Sequence, residues 1–133
     1  MKFLFLVHLL FASTALAALD GTYLMKLKIG EKIFDDILVL EGVNGPIDYY
    51  SRGPLKGSVT VSNAFSVPLA GNVSCSVWIG ICNLDFEITA VENGNSFKVF
   101  YSGEYTLAQS FTGSAHLENG DLLGTFEATR IKK

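Results

Sequence analysis

The chain of 133 residues predicts an all-β fold, a single antiparallel domain of seven to nine short strands. Three observations lead there. Apolar and polar residues alternate along most of the sequence, and no stretch beyond the first seventeen residues sustains a helical period. Three Asn-Gly pairs, Asn44-Gly45, Asn93-Gly94 and Asn119-Gly120, suit two-residue type I′ turns, because both central residues need positive φ. Folding the chain at such turns brings like faces together, and a one-residue slip would mix them.

Residues 1–17 read as a cleaved export signal. Lys2 gives a positive start, Phe3 to Phe11 form an apolar run broken by His8, and Ala15-Leu16-Ala17 supplies the small-x-small cleavage pattern. The run is about half of the roughly 20 residues that a membrane span needs. The expected mature domain is 18–133, without stable membrane insertion, in a periplasmic or extracellular compartment.

The first expected hairpin turns at Gly30-Glu31, in the Gly-first pattern of a type II′ turn. It pairs Leu27 with Phe34 and Tyr23 with Leu38, sets Lys26 opposite Asp35 outside, and places Asp36 opposite Met25 on an otherwise apolar face. Gly42 to Gly57 follows as a loop-rich segment. From Ser58 to Leu69 the parity of Val59, Val61, Phe65, Val67 and Leu69 predicts one long bent strand, or two short ones turning near Ser62-Asn63. Pro68 places the end of this stretch at a sheet edge or bulge. Cys75 to Cys82 reads as a tight hairpin with Gly80 in its turn. In an oxidising compartment its two cysteines form a structural disulfide.

At Asn93-Gly94 the expected pairs are Ala90 with Phe97, Ile88 with Val99 and Phe86 with Tyr101. Tyr105 to Ser110 reads as a further strand leading into Phe111. At Asn119-Gly120 the expected pairs are Leu117 with Leu122, Ala115 with Gly124, Gly113 with Phe126 and Phe111 with Ala128. Leu123 then faces outward opposite His116. Gly113 and Gly124 are candidates for the corner where a strand bends.

Sequential hairpins favour an up-and-down barrel over a β-sandwich, since a meander closes most simply that way. The opening Gly21-Thr22-Tyr23, followed by a strand and a hairpin, resembles the start of lipocalins and avidins, secreted barrels with small-molecule ligands. The likeness implies a calycin-like barrel. It covers only these residues, with Tyr23 where the family pattern has Trp, and implies no particular ligand.

The formal net charge is −3. Basic residues gather only at Arg130, Lys132 and Lys133, so neither nucleic acid nor an anionic membrane is an expected partner. His116, the one histidine after residue 17, has no nucleophile placed beside it and reads as a surface residue. Asp85 and Glu87 share a strand face at a spacing compatible with two-carboxylate hydrolysis, but they read better as a solvated face opposite Lys98. No catalytic residue, metal or cofactor is assigned.

The candidate ligand- or partner-binding residues are Asp36, Tyr49, Tyr50, Arg52, Trp78 and Ile79. Asp36 is a carboxylate on an inward face, either a ligand anchor or a hydrogen-bond partner of a buried tyrosine. Tyr49, Tyr50 and Arg52 combine rigid contact area with hydrogen-bonding capacity. Trp78 and Ile79 lie between the two cysteines and mark a contact surface if they project. Asn72-Val73-Ser74 is a glycosylation sequon. The expected function is a non-enzymatic, exported binding protein, taking a small apolar ligand inside or a protein partner at the aromatic loops. An inhibitor presenting the clamped hairpin to an exported enzyme is the alternative; a hydrolase or a purely structural surface protein ranks below both.

Overall fold

The computed structural model describes residues 20–41, 50–61, 65–76, 81–106 and 110–132. They form eight strands: β1 (Gly21–Ile29), β2 (Lys32–Glu41), β3 (Tyr50–Val61), β4 (Phe65–Ser76), β5 (Ile81–Glu92), β6 (Asn95–Thr106), β7 (Ser110–Leu117) and β8 (Leu122–Lys132). Each is antiparallel to its neighbours in sequence, and β1 pairs with β8 to close the barrel. Closure leaves every strand with two neighbours, so no sheet edge is left free to template pairing with another chain.

Two of the tight hairpins have the expected register throughout. Leu27 lies opposite Phe34, Met25 opposite Asp36 and Tyr23 opposite Leu38, with Gly30 at φ +62° in the turn. Phe86 lies opposite Tyr101 and Ile88 opposite Val99, with Asn93 at φ +53° and Gly94 at φ +80°, the conformation a type I′ turn requires. Val59 pairs with Val67 and Val61 with Phe65, so the Ser58–Leu69 stretch is two strands. The ladder between β4 and β5 begins at Leu69, so Pro68 lies just beyond it and its missing N–H interrupts no bond there. Gly80 and the Asn44-Gly45 pair lie outside the described residues.

The third Asn-Gly hairpin differs. The Gly120 N–H donates to the Leu117 carbonyl and the Leu117 N–H to the Asp121 carbonyl, each at 2.9 Å, so Glu118, Asn119 and Gly120 form the loop. Only Gly120 has positive φ, at +90°. The Asn119 side-chain oxygen accepts the Asp121 N–H at 2.9 Å, an Asx turn that uses Asn119 differently from a type I′ turn. A register shift follows between Ala115 and His116, and His116 pairs with Leu122 rather than Leu123. Only the start of β8 changes phase: Leu122 is 62% exposed and Leu123 packs against the core, whereas Ala115–Gly124, Gly113–Phe126 and Phe111–Ala128 pair as expected. Tyr105 also departs from expectation. It lies in β6, which ends at Thr106, and pairs with Phe111 of β7, which begins at Ser110.

An eight-stranded barrel is just wide enough for side chains to fill. Here aromatic rings do so. Phe86 stacks on Tyr101 at 4.8 Å, Tyr101 meets Phe126 edge-on at 5.7 Å, Phe126 meets Phe111 at 5.7 Å, and Phe111 meets Tyr23 at 5.3 Å. Room for this chain of rings comes from glycine. A Cβ on Gly113 would lie 1.9 Å from the Ser102 carbonyl oxygen, and one on Gly103 would lie 2.9 Å from the Phe126 ring. Gly124 marks another close approach, to β1 at Lys28 rather than to Gly113.

Candidate binding site at the loop end

The two barrel ends differ chemically. At the end formed by the β1–β2, β3–β4, β5–β6 and β7–β8 turns, Ile29, Phe34, Val61, Val67, Phe97 and Leu123 are half-buried against the core. They make an apolar plug. Ile33, Phe65, Val91 and Leu122 stand exposed around the same end. The opposite end receives the connections 42–49, 77–80 and 107–109 and the outer ends of β1 and β8. We call it the loop end.

The loop end is more polar. Tyr23 is fully buried and lies opposite Arg130 in the β1–β8 ladder, just beyond a register shift. Arg130 shares its inward parity with Phe126 and Ala128, so its side chain enters the barrel. Its Nη2 donates to the Tyr23 hydroxyl at 2.8 Å, and the guanidinium carbon lies 5.3 Å from the centre of the Tyr23 ring. Tyr23 is also hydrogen-bonded to Tyr105. Burial pushes the Tyr23 hydroxyl up to about 12, an effect that the Arg130 hydrogen bond opposes without cancelling. Nε and Nη1 of Arg130 are both buried and have no hydrogen-bond partner.

Beside Tyr105, which pairs with Cys82, Cys75 and Cys82 form a disulfide between directly opposite residues of β4 and β5, with Cα atoms 4.0 Å apart. Both are buried. The bridge therefore ties the two strands together beneath the connection 77–80. It fits an oxidising environment.

The residues singled out from sequence do not converge on one point. Asp36 is 2% exposed and faces the interior on β2, opposite Met25, deeper than Arg130. Its carboxylate lies near Tyr101, whose hydroxyl is held well above the usual tyrosine range, first by burial and then by the Asp36 charge. Tyr50 and Arg52 begin β3 at the loop end, opposite Ser76 and Ser74, and their side chains are not among those described. Tyr49, Trp78 and Ile79, like residues 1–17, lie outside the described residues. Arg130 itself was legible only as part of a basic tail. The signal that would have found it is the inward parity of Phe126, Ala128 and Arg130.

The outer wall carries two open clefts, of about 270 and 370 Å³. They meet at Asn72 and Asp85. Asp85 accepts a hydrogen bond from Ser102 at 2.7 Å, and Glu87 forms an ion pair with Lys98 at 3.8 Å. Each carboxylate thus has a side-chain partner on an exposed face. His116 faces the first cleft, beside Phe100 in the adjacent strand. The exposed Asn72 of the sequon lines both clefts. No group of three or more His, Cys, Asp or Glu residues able to hold a metal occurs among the described residues.

Comparison with protein families, with characterised proteins and with solved structures returns no match for this chain.

Proposed function

We propose that this chain is an exported, non-enzymatic binding protein that engages its ligand or partner at the loop end of the barrel. The observation that carries the reading is the contrast between the two ends and the middle. Stacked rings occupy the middle, and apolar side chains plug the turn end. Among the described residues, the loop end combines a part-buried cation with two phenolic hydroxyls, and it carries the start of β3 with Tyr50 and Arg52. A ligand enclosed deep inside would have to displace aromatic packing, at about 0.5–1.5 kcal/mol per ring pair beyond the burial itself. A ligand at the loop end would not. Export is supported by the leader pattern in residues 1–17 and by the disulfide.

Tyr50→Ala and Arg52→Ala test this reading in thermal unfolding against a panel of small apolar, anionic and peptide ligands. Both should abolish whatever ligand-induced stabilisation the parent shows, and Phe100→Ala on the outer wall should leave it intact. Stabilisation lost only with Phe100→Ala would move the site to the outer clefts and overturn the proposal.

The disulfide supports a second reading. It clamps the base of the 77–80 connection, as an inhibitory hairpin inserted into an enzyme's cleft would require. Trp78→Ala should then eliminate partner binding; unchanged binding would refute this version.

A further inference from the structure

We infer that Arg130, together with the hydroxyls of Tyr23 and Tyr105, forms an anion cradle at the loop end that takes a small organic carboxylate. The inference rests on the loop-end reading above and names the ligand chemistry for it.

A guanidinium carries five N–H donors in a fixed plane and cannot shed its charge. In Arg130, Nη2 reaches Tyr23, whereas Nε and Nη1, which carry three of the five donors, are buried without an acceptor. Buried polar groups are otherwise almost always hydrogen-bonded. The unmet donors therefore call for an oxyanion.

The surroundings favour a carboxylate. One guanidinium matches one negative charge, whereas a phosphate dianion would retain excess charge in a poorly solvated site. The planar two-oxygen head of a carboxylate fits the guanidinium plane. Burial keeps the Tyr23 hydroxyl protonated at neutral pH, and its hydrogen bond with Tyr105 sets the two hydroxyls side by side. Phe111, edge-on to Tyr23 at 5.3 Å and near Tyr105, offers apolar surface to the organic part of the ligand. Stacked rings fill the barrel deeper than the cradle, so the ligand it takes would be a compact acid rather than a long chain.

Sodium benzoate is the probe, with sodium chloride at equal ionic strength and sodium phosphate as comparisons, all on the protein with its disulfide intact. Benzoate should raise the thermal midpoint saturably, chloride and phosphate should not, and calorimetry should give one site per chain. Arg130→Gln should weaken benzoate binding at least tenfold. Because Arg130 packs on Tyr23, Tyr105→Phe provides a second variant, expected to bind severalfold more weakly while folding normally. Benzoate acting no differently from chloride, phosphate binding as well as benzoate, or an unchanged benzoate Kd in both variants would each overturn the inference. A neutral ligand bound through Tyr50 and Arg52, and indifferent to Arg130→Gln, would refute the carboxylate cradle and leave the loop-end reading standing.

Discussion

Gly113→Ala should be among the most damaging single-methyl additions to this barrel. The new Cβ would sit 1.9 Å from the Ser102 carbonyl oxygen and 2.6 Å from the Gly103 Cα, both backbone atoms of β6. Contacts of a real Cβ below 3.0 Å essentially do not occur, so β6 and β7 would have to move apart by roughly 1 Å, enough to spoil ladder hydrogen bonds normally near 2.9 Å. Two such bonds are worth about 1 kcal/mol each. The Phe126 ring, which already packs over Gly103, would lose contact with its neighbours at about 1 kcal/mol more. The sum is about 3 kcal/mol, a large part of the stability of a domain this size. With a urea slope of about 1.5 kcal/mol/M, the unfolding midpoint should fall by about 2 M. Gly53→Ala is the control, because a Cβ there meets nothing within 4 Å, and it should shift stability by less than about 0.5 kcal/mol. Gly113→Ala unfolding within about 0.5 M of the parent would refute the close-approach argument.

Three further outcomes are expected. Reducing Cys75–Cys82 opens a loop of about eight residues and should cost about 2.5 kcal/mol, read as a drop in urea midpoint with added reductant; no change would mean the bridge does not constrain the unfolded chain. Burial pushes the Tyr23 hydroxyl up from 10.0 to about 12, so above pH 10 the unfolded chain releases a proton that the folded chain keeps. Its contribution is complete below pH 10 and is lost as pH rises towards 12, with Tyr101 acting in the same direction, so urea midpoints should fall from pH 9 to pH 11 and fall less in Tyr101→Phe. Lys98→Ala breaks a half-exposed pair at 3.8 Å and should change stability by less than about 0.5 kcal/mol in thermal unfolding.

The barrel walls were readable where pairing is local. In β1–β2 and β5–β6, two tight turns and strict alternation determine the faces, and Asp36 could be placed inward from Met25 alone. In β7–β8 the same logic held for Phe111–Ala128, Gly113–Phe126 and Ala115–Gly124 and failed at the turn, where the Asn119 side chain and a bulge replace the two-residue turn and exchange the environments of Leu122 and Leu123. It failed again at Tyr105, where three intervening residues conceal the end of β6.

By itself the sequence determined strand character, two complete hairpin registers and the cysteine pairing, because each depends on neighbours a few residues apart and on the two-residue period of a pleated chain. Sequential hairpins favoured a closed barrel, but only the tertiary structure decided the β1–β8 register that brings Tyr23 to Arg130 across 107 positions of chain. That contact depends on how twist and stagger accumulate over eight strands, a property of the closed sheet that no local window contains.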